Sequence, residues 1–399
     1  MGRLLTLVGL LAFATFARAE VDFDATLDLR GVTSDGQRSF LNGGLGKLRF
    51  DPDHDGLRLG QLRLAARGPL TDTIGFTVEA TAWGDHDDSS IDLIEAVLDW
   101  RPVPSSLWRS EVRLGAFYAP ISLENRMRGW RSPYTISPSA INTWIGEELR
   151  TIGAEYNLDW LGALEGYGFS AGITGAVYGW NDPAGIVLAL RGWSINDRQT
   201  TLFGKVGQPR QGLVDGRTVF YDDIDKRFGV YGGGSLKWRG ILEVRALRYD
   251  NRGDPSIRAP EIRDWQWDTR FNSVGVRWTP DPHWTVIWQG MKGITEAQSP
   301  INSWRFQSQF LLGSYTRGPH RVSLRADEFS TEHYHSTFGA FNSDDGSAWT
   351  AAYGYEFSPR FSVMVESLWI RSRLPFRALF NSPVAASERQ LQLAFRVDL

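Results

Sequence analysis

Arg321-Val322-Ser323-Leu324-Arg325-Ala326-Asp327 puts Val322, Leu324 and Ala326 on one side of an extended chain and Arg321, Ser323, Arg325 and Asp327 on the other. A helix would scatter these residues around its axis. A strand, with side chains alternating, gives one apolar and one wet face. The same period runs through much of the chain. Phe23, Ala25, Leu27 and Leu29 alternate with Asp22, Asp24, Thr26, Asp28 and Arg30. Ile74, Phe76, Val78, Ala80 and Ala82 alternate with Thr73, Thr77, Glu79 and Thr81, and Trp108, Val112, Leu114 and Ala116 with Arg109, Glu111 and Arg113. Trp304, Phe306, Phe310 and Leu312 share one side. No segment keeps a 3.6-residue period over helical length, so the chain reads as nearly all-β. Its strands approach about 10 residues, the span a tilted strand needs to cross a bilayer and about twice that of an ordinary globular strand.

The connections alternate in length. Short ones carry turn residues, as in Arg67-Gly68-Pro69-Leu70-Thr71-Asp72, Thr279-Pro280-Asp281-Pro282, Thr316-Arg317-Gly318-Pro319 and Ser358-Pro359-Arg360. Between them lie longer polar or Gly-rich stretches at 84–91, 119–147, 251–264, 292–301, 331–346 and 372–387. Short turns at one end and long loops at the other predict a transmembrane antiparallel β-barrel. Two strand counts are open. If 186–194 and 199–206 pair as a hairpin the barrel has about 18 strands; if 179–227 is one long external excursion it has about 16. Trp193-Ser194-Ile195-Asn196-Asp197-Arg198 makes a poor tight turn, which favours 16. Either count leaves an aqueous lumen. The last alternation sets Leu391, Leu393, Phe395, Val397 and Leu399 against Gln390, Gln392, Arg396 and Asp398. It is similar to the terminal signal by which outer-membrane barrels are recognised for assembly, with Leu399 where an aromatic residue is usual.

Arg3, the apolar run Leu4 to Phe16 and the small-x-small Ala17-Arg18-Ala19 form the pattern of a secretory signal peptide over residues 1–19, with a single barrel domain over 20–399. A mean hydropathy of −0.28 would suit a soluble protein, except that lipid-facing and lumen-facing residues cancel in a membrane barrel. The 17 Trp and 12 Tyr suit a membrane interface, although Trp-rich exported sugar-binding proteins exist too. With no Cys an exported chain relies on hydrogen bonding and burial instead of disulfides. A net charge of −3 gives no reason to expect a nucleic-acid partner; the partners expected of such a barrel are outer-membrane lipid and lipopolysaccharide.

The stretch after the fifth strand carries most of the functional information. It reads Gly115-Ala116-Phe117-Tyr118-Ala119-Pro120-Ile121-Ser122-Leu123-Glu124-Asn125, then Arg126-Met127-Arg128-Gly129-Trp130-Arg131, and returns through Ile141 to Arg150 into Thr151-Ile152-Gly153. Through Gly115, Phe117, Pro120, Ser122, Leu123, Glu124, Arg150 and Gly153 it resembles the porin O and P family, the phosphate-type porins. The resemblance covers residues 110–155 by motif and the remainder by architecture, and the dense Lys ladder of a dedicated phosphate pore is missing. It implies an outer-membrane porin, a homotrimer, and a third external loop, 119–147, folded into the pore. On such a loop Arg126, Arg128 and Arg131 form a basic constriction, with Glu124, Glu147 and Glu148 as the opposite wall and Arg113 and Arg150 on the flanking strands. Rings of charge set ion preference in pores, so small polar or anionic solutes are expected.

Other motifs carry less. Asp51-Pro52-Asp53-His54-Asp55-Gly56 opens like a calcium loop, but Leu62 stands where an EF-hand needs Glu; Asp51, Asp53 and Asp55 are a weak cation candidate beside the plain reading of an acidic turn. Asp85-His86-Asp87-Asp88 is a second acidic tip that would suit divalent ions of lipopolysaccharide. His333, His335, Ser336 and Asn342 contain the residue types of a hydrolase without its spacing. No phosphate loop, H-E-x-x-H or G-x-S-x-G occurs, so neither an enzyme nor a cofactor is expected. The alternatives to a passive channel are a non-transporting barrel that binds a surface partner, for which loop 119–147 should project outward, and a soluble periplasmic sugar binder.

Overall fold

The computed structural model describes residues 21–85, 91–207, 217–219, 221–259, 264–298, 302–335 and 342–399; the signal-peptide expectation falls outside them. Sixteen strands form one closed barrel: β1 (Asp22–Ser34), β2 (Gly56–Pro69), β3 (Ile74–Ala82), β4 (Asp92–Trp100), β5 (Trp108–Phe117), β6 (Thr151–Trp160), β7 (Phe169–Gly179), β8 (Gly229–Trp238), β9 (Leu242–Asp250), β10 (Asp268–Trp278), β11 (Trp284–Ala297), β12 (Asn302–Arg317), β13 (His320–His335), β14 (Asp344–Ser358), β15 (Phe361–Arg373) and β16 (Ala385–Asp398). Each pairs antiparallel with its neighbours, and β16 closes on β1 with Leu27 opposite Val397 and Thr33 opposite Leu391. Residues 186–194 contribute no barrel strand, which decides between the two counts. Among the described residues two α-helices lie in the loops, α1 (Ala140–Glu148) and α2 (Ile186–Leu190). Residues Lys205–Gly207 with Arg217–Val219, and Arg258–Ala259 with Asp264–Trp265, form small separate hairpins.

The outer face explains the composition. At the turn end Trp108 pairs with Trp160 and Phe169 with Trp238, with Trp278 and Trp284 beyond them. Toward the loop end Trp349 pairs with Trp369. On β15 Phe361 and Trp369 bracket Val363 and Val365, about 27 Å apart along the strand at 3.4 Å per residue. Strand tilt lowers that to near the height of the apolar band of a membrane barrel, whose two edges carry aromatic girdles. Past Trp369 the outward residues are Arg371 and Arg373, and past Trp349 they are Ser347 and Asp345. The strands therefore continue beyond the apolar layer. For this reason parts of 292–301, 331–346 and 372–387, which read as loops once the alternation loses its apolar half, are paired strand. The wall is uneven: β3 and β4 have 9 residues each, β12 and β13 have 16. A groove of about 1500 Å³ between Trp288, Lys292, Trp349 and Arg371 lies on the outside of the tall wall, away from the lumen.

Leu393 pairs with Val365, midway along the apolar band, and half of its surface is exposed outward. Leu393→Arg is expected to destabilise the barrel by about 2–4 kcal/mol, as charges do at a bilayer midplane. Urea titration of protein folded into lipid vesicles measures it. A cost under about 1 kcal/mol would remove this strand from the apolar layer.

Candidate functional site

The chain between β5 and β6 leaves the wall and folds into the barrel. Its first part follows β9 to β11: Arg245 donates to Pro120 O at 3.0 Å and Gln289 to Ile121 O at 3.4 Å. Leu123 lies over Gly275, where a Cβ would come within 2.8 Å of its Cδ1. The arginine run then crosses toward the seam of the barrel. Arg126 pairs with Glu243 of β9 at 2.9 Å, Arg128 with Asp24 of β1 at 3.0 Å, and Arg131 donates to Thr26 of β1 at 3.3 Å and Asp398 of β16 at 3.4 Å. The return runs along β13 to β15, where the amides of Ile136 and Ser137 donate to Glu366 and that of Ala140 to Asp327.

Helix α1 starts at a Ser139 cap whose hydroxyl accepts from Asn142 N. All of its residues are buried. Trp144 meets Phe306, Phe271 and Trp193 edge-on at centroid distances of 5.2, 5.4 and 5.9 Å, an aromatic contact worth more than its buried area alone. The helix thus has its own apolar seat on β10 and β12.

Four of the eight residues expected at the constriction have a different place. Glu124 is fully buried: Arg325 of β13 donates to it at 2.8 Å, and Ser139 N and Asn142 Nδ2 at 2.9 and 2.8 Å. Glu147 pairs with Arg191 and is 2% exposed. Arg150 lies over the Tyr118 ring at 3.6 Å and donates to Thr200 O. Glu148 accepts from Val187 N and Trp144 Nε1, and burial pushes its carboxyl up to about 8. These groups fix the loop and do not face water. The physical reason is that a carboxylate shut away from solvent is tolerated only with charge and hydrogen-bond partners, and Arg325, Arg191 and capped amides supply them. Arg113, Arg126 and Arg128 keep contact with solvent, and Arg131 is 9% exposed.

The wall that the arginine run faces is itself basic. Arg30 of β1, Arg63 and Arg67 of β2 and Arg396 of β16 point inward, with Arg49 above them. Their partners are Asp28 for Arg30 and Arg396, each at 2.8 Å, Glu79 for Arg63 at 2.8 Å, Asp24 for Arg63 and, at 2.7 Å, for Arg67, Asp85 for Arg49 at 2.8 Å, and Asp197 for Arg30 and Arg49 at 2.6 and 2.9 Å. With Arg128 and Arg131 the guanidiniums on this side outnumber the carboxylates they meet. Sequence reading missed this wall; the alternation that sets Arg30 and Arg396 on the wet faces of their strands was the signal available for it. Arg113 stands elsewhere, among Glu155, Asp99 and Glu95 on β4 to β6. Between loop and basic wall, Gln61, Asn125, Arg131, Ser132, Asn196, Arg198 and Arg396 border a cavity of only about 10 Å³.

The other sequence candidates separate. Asp51 accepts from Ser39 N, Asn42 and His54, which makes it the fastener of a turn, whereas Asp53 and Asp55 are exposed. Asp85 pairs with Arg49, and residues 86–88 lie outside the described ones. His333 stacks on Trp304 at 4.2 Å and Asn342 donates to Ala189 O; Ser336 is outside the described residues. Sequence reading missed Asp182, Asp223 and Asp225, whose carboxylate oxygens lie within 4.8 Å of one another. Asp182 there accepts from the amides of Ile224 and Asp225, and burial pushes it up to about 6.

No family model and no curated protein matches the sequence. Solved structures match in fold. The outer membrane channel DcaP of Acinetobacter baumannii is 11% identical with a TM-score of 0.55, covering 96% of this chain and 98% of its own. OmpT of Vibrio cholerae, an outer membrane protein solved in a trimer form, is 9% identical with a TM-score of 0.54 over 96% and 99%. OmpF of Salmonella typhi, in complex with daunomycin, is 11% identical with a TM-score of 0.54 over 95% and 97%. The fold of this chain is that of a 16-strand outer-membrane β-barrel.

Proposed function

We propose that the protein is an outer-membrane channel through which small polar solutes, anions preferred, diffuse passively. The observation that carries this reading is the loop 118–150 inside the lumen, bringing Arg128 and Arg131 to the wall of Arg30, Arg63, Arg67 and Arg396, with Arg126 beside Glu243 on the β9 side. An excess of fixed guanidinium charge at a narrow point favours anions through the same electrostatics that ring charges exert in other pores. Glu124, Glu147 and Arg150 act in this reading by holding the loop, and Arg113 lines the approach. A loop buried to this degree offers little to a surface partner, which argues against a receptor role. The DcaP and OmpT likenesses suit a channel and a homotrimer.

Planar-bilayer recording of the protein purified from outer membranes tests it, with reversal potential read across a KCl gradient. An anion-leaning reversal potential is expected, shifting toward cations in an Arg126→Ala, Arg128→Ala variant. Absence of current steps from a folded, heat-modifiable barrel, both with loop 118–150 intact and with it shortened, would sink the channel. Protein recovered from the outer membrane should begin at Glu20, as N-terminal sequencing would read.

A further inference from the structure

We propose that residues 186–202 form a second barrier inside the barrel, a strap that closes the passage and passes anions only when its Asn196–Gln199 end is displaced; the inference rests on the channel reading above. The external excursion expected between β7 and β8 turns inward at Gly185, which has φ +107° and where a Cβ would stand 2.0 Å from Thr295 Oγ1. From there its contacts fall on widely separated strands of the wall. Trp193 donates to Ser330 O of β13 and, through its amide, to Asp344 of β14, each at 3.0 Å. Lys47, paired with Asp344 at 2.8 Å, donates to Arg191 O at 2.9 Å and accepts from Ile195 N at 3.1 Å. Asp197 pairs with Arg30 of β1 at 2.6 Å and with Arg49 at 2.9 Å. Arg198 reaches Asp85 at 3.4 Å, and Leu202 N donates to Leu93 O of β4 at 2.7 Å. A segment this short that touches β10–β11, β13–β14, β1 and β4 runs across the lumen, not around its rim.

Its inner side closes on the first loop. Asn196 N donates to Thr143 Oγ1 at 3.1 Å, Gln199 to Gly129 O at 2.8 Å and Thr200 N to Gly146 O at 3.2 Å. On the side of the basic wall, strap and loop border a cavity of about 10 Å³, room for about one water and too little for a hydrated solute. The two ends of the strap differ. Ile186 to Ala189 and Trp193 are buried apolar anchors, whereas Asn196 to Gln199 is held by polar contacts, which water and a passing anion can replace when that end lifts. Arg131, Arg198 and Arg396 border the gap, and Nη1 of Arg131 makes no hydrogen bond among the described residues. A passing anion meets these groups first.

The chain has no Cys, so a Thr143→Cys, Asn196→Cys pair in the full barrel can lock the strap to α1, with bond formation read by mass. Locked protein should carry little current, and reduction should restore it several-fold. Asp197→Ala, which leaves Arg30 with Asp28 and Arg49 with Asp85, should raise open time or conductance several-fold. Equal current from locked and reduced barrels, or an unchanged Asp197→Ala, overturns the strap and leaves the channel standing. Silence from every folded form removes the channel and the strap with it.

Discussion

Arg325→Ala is expected to free the loop 118–150 from the barrel wall at a cost of about 3–5 kcal/mol, the scale for breaking a buried ion pair by removing one partner. Arg325 is 1% exposed and uses every nitrogen. Nε meets Asp327 at 2.7 Å; Nη1 meets Glu124, Thr135 and Ser137 O; Nη2 meets Pro138 O and Thr350. Without it two carboxylates are left buried without their cation, and the loop that carries Glu124 can reach water only by undocking. The strands should stay paired, because residue 325 joins the ladder through its backbone, opposite Leu312 and Thr350, and the substitution leaves that backbone in place. Trypsin should then cut at Arg126, Arg128 or Arg131 while the barrel keeps its heat-modifiable mobility on gels. Arg325→Lys, which keeps the charge and loses the fork, should fall between. A loop as protease-resistant as the parent's would show that Arg325 does not hold it.

Trp144→Ala is the second large effect, at about 3–5 kcal/mol for an aromatic truncated in a packed site. Trp144 joins the first loop to both the wall and the strap, touching Phe271, Phe306 and Trp193. Its loss should loosen the two luminal elements together, so open-channel current noise should rise along with trypsin access. Trp144→Phe should recover most of the packing, though not the bond to Glu148. Noise unchanged in Trp144→Ala would mean that the two elements are seated independently.

The barrel itself was legible because its rule is local. Val322, Leu324 and Ala326 announce a lipid-facing side without any knowledge of their neighbours, and the turns punctuate the strands. The inward course of the first loop came from the resemblance at Gly115 to Gly153, not from periodicity. Two things were hidden. The carboxylates Glu124 and Glu147 look like lumen charges in a polar stretch, because their partners Arg325 and Arg191 are far off in sequence and no spacing rule connects them. The strap was read as an external excursion although Ile186-Val187-Leu188-Ala189-Leu190 is too apolar for a loop in water. That run was the available signal, and it competed with a period too short to separate a helical turn from a strand.

The ion pairs that seat the luminal elements are among the most shielded groups of the molecule: Lys47 with Asp344 and Arg325 with Glu124 have no exposed side-chain surface. Mobile ions weaken attraction between charges that share their solution, over a distance of about 10 Å at 0.1 M, and they have no access to pairs enclosed by protein. Raising KCl in a bilayer chamber therefore multiplies the carriers without loosening the seats. Arg126 and Arg128, which do face the bath, lose their hold on a passing anion as salt rises. Selectivity and architecture thus answer to different variables: the first fades in concentrated electrolyte, and the second persists.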